Sequence, residues 1–427
     1  MNVTDQQINN LLDELLHLHP KRIDLSLDRF KLLLSKLDNP QDKIKAPLVI
    51  SGTNGKYSVL RFLQEILRFN NKKLNTYVSP HLIRFNERFE FGDKIISNED
   101  LEKILIKIKK INGSDSITFF EATSACFYDL CPSRECDFTI IETGLGGLMD
   151  CSAVAKSILS IITPISFDHM DFLGSSIESI SFNKSGSIKP NTLCVVGKQE
   201  YKAAFEILRD QAEHKQAPLF VYGKDWMIHE TQNNIIYEDN ENNFKFDLFR
   251  NHPSYQVDNL GIALAAASKI PGIKIGAFLD ENKHNQTEII GRFQMLKNKS
   301  INKLVGAETE IIYDIGHNEA GAKAINHSIN KLPKKPLCLI LAMLNSKSPQ
   351  SFVSKFDQID CIRTVTMPDE ENSIPAAQLK LEVKSFCKDT DTSTSVRVAV
   401  SEISKKFPNA RIIILGSSYI ASEVLEN

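Results

Sequence analysis

The chain has 427 residues, 42% of them hydrophobic and 24% charged, an ordinary globular composition spread over too much length for one compact core. Its formal net charge of -2 creates no field that would draw nucleic acid or an anionic membrane, so an anionic ligand would have to meet local positive groups. No stretch approaches the roughly 20 apolar residues of a membrane helix, and residues 1–10 carry no apolar signal core. The eight cysteines, Cys126, Cys131, Cys136, Cys151, Cys194, Cys338, Cys361 and Cys387, contain no C-x-x-C pair and no zinc-type spacing. A monomeric cytoplasmic protein with reduced thiols is the expectation.

Residues 1–45 read as helical, with apolar stripes at Leu11, Leu12, Leu15 and Leu16 and again at Leu27, Phe30, Leu33 and Leu34, the first helix ending at Pro20. His17 and His19 flank Leu18 and carry no metal-site pattern. The apolar run Pro47-Leu48-Val49-Ile50 leads into Ser51-Gly52-Thr53-Asn54-Gly55-Lys56, after which Val59, Leu60, Leu63, Ile66 and Leu67 mark one helix face. This is strand, glycine loop, helix. A buried strand is predicted over 74–78, a helix over 119–130, and a strand over 138–142 that runs into the turn Gly144-Leu145-Gly146-Gly147. A further strand over 158–163 leads to Asp168 and His169. Short apolar strands alternating with helices imply an α/β fold with a mainly parallel sheet covered on both faces. Residues 221–258 break this pattern and predict an antiparallel hairpin excursion, with a helix returning over 255–270. A second α/β series begins near residue 291, with strands over 310–314, 337–342, 362–366 and 411–415, so two domains, 1–290 and 291–427, are expected.

Several pieces carry possible chemistry. Successive backbone N–H groups of a loop such as Gly52 to Lys56 can cradle phosphates, the helix N-terminus adds partial positive charge, and Lys56 would reach the β- and γ-phosphates. The strict phosphate-loop pattern fails at Ile50 and at Tyr57, so the loop alone fits an ordinary glycine turn nearly as well. Glu142, Asp168 and His169 end strands, where ligands bind in open α/β sheets. They suit Mg²⁺ with nucleotide phosphates, or equally a capping pair and a solvated carboxylate. Lys184 and Arg292 taken singly read as unremarkable residues, and Asp314 before Gly316-His317-Asn318 fits either a ligand site or a turn.

The order of these pieces is more specific than any one of them. The chain carries Gly52-Thr53-Asn54-Gly55-Lys56, Ser79-Pro80-His81-Leu82 with Phe85-Asn86-Glu87-Arg88, and Glu142-Thr143-Gly144-Leu145-Gly146-Gly147. Asp168-His169 with Leu173-Gly174, Gly291-Arg292, Asp314 with His317-Asn318, and Gly416-Ser417 with Tyr419 follow. From about residue 20 onward this resembles the dihydrofolate synthase / folylpolyglutamate synthase family of the Mur ligase superfamily, most closely its bifunctional bacterial members. The resemblance implies an N-terminal P-loop-like ATPase domain and a C-terminal Rossmann-like domain. It implies ATP held by Thr53, Asn54, Gly55 and Lys56, with Asn259, Arg292 and Asp314 completing the nucleotide site. Two Mg²⁺ ions would be ligated by Ser79, Glu142 and His169, and Lys184 would join them as a carbamate. The catalytic set would be Lys56, Glu142, His169 and Lys184, and the substrate set Thr118, Phe119, Phe120 and Glu121 with Met149, Asp150 and Cys151. The activity implied is ATP-dependent addition of L-glutamate to dihydropteroate, and to reduced folates, through an acyl phosphate.

The chain departs from the family pattern at Tyr57, Leu148, Cys151-Ser152-Ala153, Asn183, Ile315, Glu319 and Ser348. Leu148 stands where a guanidinium would make a bidentate contact, which an alkyl chain cannot replace. The alternatives that follow are a non-catalytic nucleotide-binding relative and a Mur-type ligase acting on another acid.

Overall fold

The computed structural model describes residues 3–21, 23–249, 253–368 and 370–426. The chain divides into two compact units, Met1–Leu248 with Asp258–Thr287, and Phe249–Val257 with Glu288–Asn427. Among the described residues, no helix is long and apolar enough to cross a membrane. All eight cysteines are free and buried.

The first unit is built on eight strands: β1 Pro47–Ser51, β2 Leu74–Tyr77, β3 Phe89–Phe91, β4 Lys94–Ile95, β5 Phe138–Glu142, β6 Leu159–Ile162, β7 Cys194–Val196 and β8 Leu219–Val221. Their order is β4-β3-β2-β5-β1-β6-β7-β8. Strands β2, β5, β1, β6, β7 and β8 run parallel, whereas β3 and β4 pair antiparallel at one edge. The sheet is mainly parallel, as expected, and ends in a short antiparallel edge. The strands of that edge are three and two residues long around Gly92 and leave almost no periodic signal.

Every residue of β1 is buried, as a strand covered on both faces requires. On one face the helices Asp5–Leu16, Asp28–Lys36, Asn98–Asn112 and Phe119–Leu130 supply Leu12, Leu15, Phe30, Leu34, Leu101, Ile108 and Phe127 to a single core. The first helix is capped by Thr4 in a reciprocal capping box and stops at His17, ahead of Pro20. The residue before a proline disfavours helical geometry, so the chain has already left the helix there. A second cluster, with Ile162, Ile180, Val196, Ala204 and Leu208, packs beside the β6–β8 side of the sheet. Ile50 lies opposite Glu142 on β5 and Ile161 on β6. The loops after β1, β5 and β6 therefore leave the sheet at one edge.

The predicted hairpin excursion is a three-stranded antiparallel sheet, β9 Trp226–Glu230, β10 Asn234–Asp239 and β11 Asn243–Asp247. It buries Trp226, Ile228, Ile235 and Tyr237.

The second unit holds β12 Gln294–Met295, β13 Glu310–Asp314, β14 Leu337–Leu341, β15 Cys361–Thr364, β16 Thr390–Thr392 and β17 Arg411–Leu415 in the order β12-β13-β17-β14-β15-β16. All but β12 are parallel. Asp314 and Leu341 both lie opposite Leu415, so the loops after β13, β14 and β17 meet at one edge of this sheet as well.

Candidate active site

In the first unit, β1 turns through Gly52 to Gly55 directly into the helix Lys56–Phe69. Val59, Leu60, Leu63, Ile66 and Leu67 are fully buried and seat this helix on the sheet. Its N-terminus, with the partial positive charge of the aligned peptide dipoles, therefore faces the carboxyl edge. Gly55 has φ of 89°, and a Cβ there would collide with Oδ1 of Asn259. Asn259 is nearly buried on the helix Tyr255–Ser268, so the structure brings it to the glycine loop, more than 200 positions away in sequence.

The loop is braced by the segment after β6. Thr53 and Asn54 donate their N–H groups to the Pro164 carbonyl at 3.0 and 3.3 Å. The Thr53 hydroxyl donates to the Ser166 carbonyl and accepts from the Ser166 N–H, both at 3.1 Å. Two of the loop's N–H groups are thus engaged by the chain itself. The two at Thr53 and Asn54 face the neighbouring segment.

Two ammonium groups converge beneath the loop. Lys56 Nζ donates to the carbonyls of Gly52 and Thr53 at 3.3 and 3.2 Å, and Lys184 Nζ donates to the Gly52 carbonyl at 2.8 Å. Lys184 is only 4% exposed, a burial that its local sequence does not signal. Burial, and then the charge of Lys56, lower its pKa to about 7. Its neutral amine is therefore abundant near neutrality.

Glu142 ends β5, is 4% exposed, and accepts the Ser79 N–H on Oε2 at 3.2 Å. Ser79 and Glu142 thus sit together, and hard oxygen donors of this kind suit Mg²⁺, which takes few protein ligands and keeps places for phosphate and water. His169 is exposed at a φ of 51°, capping the short helix Met170–Leu173. Among the described residues, no three His, Cys, Asp or Glu side chains converge on one point. The structure pairs Ser79 with Glu142 and brings Lys56 and Lys184 to the Gly52 carbonyl.

The Ser79–Arg88 segment is fixed from within. Glu87 accepts the N–H groups of Leu82, Ile83 and Arg84 at 2.8, 3.1 and 2.8 Å. Arg88 donates from Nε to His81 Nδ1 at 3.0 Å, and burial together with Arg88 pushes the His81 pKa down to about 3. In the sequence these residues stand out only as a family block.

The expected substrate segments do meet. Gly144 lies so close to Phe120 that a Cβ would stand 2.5 Å from the ring, and the Tyr128 hydroxyl donates to the Cys151 carbonyl at 3.0 Å. Their side chains, however, serve different ends. Thr118 caps the helix Phe119–Leu130, with Glu121 completing the capping box. Asp150 accepts the N–H groups of Leu145 and Ser152 at 2.9 and 2.8 Å, holding the glycine turn in shape. Cys151 belongs to the hydrophobic core. Of the set, Phe119 and Phe120 are partly exposed and Met149 is 43% exposed, so these three can touch a ligand from its apolar side. Leu148 donates its N–H to the Asn183 carbonyl at 2.8 Å, and a Cβ on Gly147 would stand 2.8 Å from the Lys184 carbonyl. The glycine turn is thereby sealed against the helix that carries Lys184.

In the second unit Asp314 is 3% exposed and accepts three hydrogen bonds, from the N–H groups of Phe293 and Gly316 at 2.7 and 2.6 Å and from the Tyr255 hydroxyl at 2.9 Å. Burial raises its pKa, and Arg292 opposes that rise. Arg292 lies near enough to Asp314 for its charge to act on it, and Tyr255 is a partner no local signal marked.

A model of the Mur ligase middle domain matches residues 50–267, just over half of the chain. The chain belongs to the Mur ligase family, in its dihydrofolate synthase / folylpolyglutamate synthase branch. It is 28% identical over 423 residues to the dihydrofolate synthase/folylpolyglutamate synthase of Haemophilus influenzae, covering 95% of this chain and 94% of that one. The Bacillus subtilis counterpart is 26% identical over 425 residues, covering 93% and 94%. The fold matches Escherichia coli FolC in complex with DHPP and ADP with a TM-score of 0.84 at 25% identity, over 98% of this chain and 96% of that one.

Proposed function

We propose that this chain is an ATP-dependent ligase that joins L-glutamate to dihydropteroate and extends reduced folates by the same chemistry. The observation that carries the reading is the strand–glycine loop–helix at Gly52 to Lys56, closed by Asn259 and set at the same sheet edge as the Ser79–Glu142 pair. The names of the full-length relatives supply the acid and the amino acid.

In this reading, residues 1–290 form the ATP-binding domain and residues 291–427 the C-terminal ligase domain. Thr53, Asn54, Gly55 and Lys56, with Asn259, hold the ATP phosphates, and Arg292 and Asp314 bind the nucleotide from the second domain. Two Mg²⁺ ions are assigned to Ser79, Glu142 and His169, with Lys184 joining once its amine has added to CO₂ and lost a proton. Held there, the metal would neutralise phosphate charge and make the γ-phosphorus more open to attack. Phe119, Phe120 and Met149 line the aromatic acid. The protein acts as a cytoplasmic monomer.

The steps follow from the groups present. The substrate carboxylate attacks the γ-phosphorus of ATP and displaces ADP, giving an acyl phosphate. Lys56, at the helix N-terminus, stabilises the transferring charge. The glutamate amine attacks the acyl carbon, passes through a tetrahedral oxyanion, loses a proton and expels phosphate, leaving the amide. Water must be kept from the acyl phosphate throughout.

The test is phosphate release with Mg²⁺-ATP, dihydropteroate and L-glutamate, omitting each in turn, with the amide product confirmed by mass. Turnover that needs all three and is lost in Lys56→Ala supports the ligase. ATP binding with no product from any acid and amine pair would favour the non-catalytic reading, with Tyr57 and Leu148 as the disabling changes.

A further inference from the structure

Glu121 is the one carboxylate of the substrate segment held by a cation that neither the nucleotide nor the metal reading uses. Its side chain is 4% exposed. Oε2 accepts the Thr118 N–H at 2.8 Å, the Thr118 hydroxyl at 2.7 Å and Arg29 Nε at 3.2 Å. Oε1 is buried with no hydrogen-bond partner. A carboxylate saturated on one oxygen and bare on the other is held in place by its donors rather than by its own burial, which is unfavourable for a charge.

Arg29 is itself fixed at its far end. Its Nη1 donates to Asp24 Oδ2 and its Nη2 to the Asp24 carbonyl, both at 2.8 Å, a fork that leaves only Nε for Glu121. Asp24 lies in the connection between the first two helices, with His19 Nε2 3.7 Å and Lys21 Nζ 3.6 Å from its carboxylate. Arg29 is on the helix Asp28–Lys36, whose Phe30 packs edge-on against Tyr128 of the Phe119–Leu130 helix. One guanidinium therefore ties three pieces of chain together: the 17–27 connection, its own helix, and the helix turn that presents Phe119 and Phe120.

We propose that Arg29 is a positioning residue for the acid substrate, fixing Glu121 and with it the Thr118–Glu121 turn, so that it sets the KM for the pteroate acid and leaves the ATP site untouched. The proposal rests on the ligase reading above. The hydrogen bonds and ion pairs of Arg29 go to Asp24 and Glu121, not to the glycine loop or the Ser79–Glu142 pair, so ATP and metal affinity should not follow it. Lysine in its place keeps the charge but cannot grip Asp24 with two nitrogens while donating to Glu121 with a third, so it should restore part of the effect.

The experiment is steady-state kinetics on the full-length protein with Arg29→Ala, Arg29→Lys, Glu121→Gln and the Arg29→Ala/Glu121→Gln pair, varying dihydropteroate, ATP and L-glutamate separately. The expected result is a KM for dihydropteroate raised at least tenfold in Arg29→Ala and partly recovered in Arg29→Lys. The KM for ATP should stay within twofold of the parent, and the double variant should be no worse than Glu121→Gln alone. An unchanged dihydropteroate KM, or a rise shared equally by all three substrates, overturns the proposal. If Arg29→Ala does not fold, Arg29→Lys and Glu121→Gln carry the same comparison. A parent protein that shows no acid- and glutamate-dependent turnover would sink the ligase reading and this proposal with it, whereas an active parent with indifferent Arg29 variants sinks the proposal alone.

Discussion

Gly55 shows how a single position ties sequence to chemistry. Its φ of 89° and the approach of Asn259 both exclude a side chain. In Gly55→Ala, left-handed strain of about 1–2 kcal/mol adds to the clash with Asn259. We expect lower stability in chemical unfolding together with weakened ATP binding by calorimetry. His81 gives a pH signature. Its folded pKa of about 3 lies below its ordinary value of 6.5, so the unfolded chain binds the extra proton. The stability it contributes is fully present above pH ~6.5 and is lost as pH falls towards 3. Urea unfolding across that window should show a steeper loss in the parent than in His81→Phe, and equal slopes would remove His81 as the cause. Lys184 is where the local sequence was least informative. Phe182-Asn183-Lys184-Ser185-Gly186 contains nothing that buries a lysine, and only the packing of its helix under the glycine turn brings Nζ to the Gly52 carbonyl. Lys184→Met should bury comfortably and abolish turnover. Turnover near the parent rate would show that no polar group is needed there.

At the scale of elements, the strands that place the site were legible because each is a continuous apolar run ending in glycine or a polar residue. Strands β1, β5, β13 and β17 fall at the predicted positions within a residue. What escaped notice was short. Strands β3, β4, β7, β8 and β16 are two or three residues long, and pairing with neighbours rather than periodicity defines them. The residues assigned to substrate are a subtler case. Thr118, Glu121, Asp150 and Cys151 match a family pattern, yet their side chains are buried in caps, turns and core. A motif read from sequence does not say which of its side chains are exposed and which hold the fold. Because Thr118 anchors a capping box, Thr118→Ala should cost about 1 kcal/mol of stability, read by thermal or denaturant unfolding. A loss near zero would mean that the cap is not formed in solution.

For the whole molecule, the order of motifs carried more than any fold argument. Ten or so short blocks in one sequence order pointed to a family, and the full-length relatives bear that out. Long-range pairings were beyond reach. Tyr255 meets Asp314 across 59 positions, and Phe249–Val257 joins the second unit although no change of composition marks it. Such contacts depend on where a helix ends up after the antiparallel excursion of β9–β11, which local pattern does not encode. The departures at Tyr57 and Leu148 are seen in three dimensions as a partly buried side chain on the first helical turn and a residue held through its backbone to Asn183.

Activation of the acid by phosphorylation, before glutamate attacks, is the step that defines the proposed ligase. It is tested most directly with dihydropteroate carrying ¹⁸O in its carboxylate, Mg²⁺-ATP and L-glutamate, followed by mass analysis of the phosphate and the amide. Each amide formed should release one phosphate carrying one ¹⁸O from the acid. Phosphate released without ¹⁸O, with the labelled acid recovered unchanged, would show that ATP is merely hydrolysed and would contradict it.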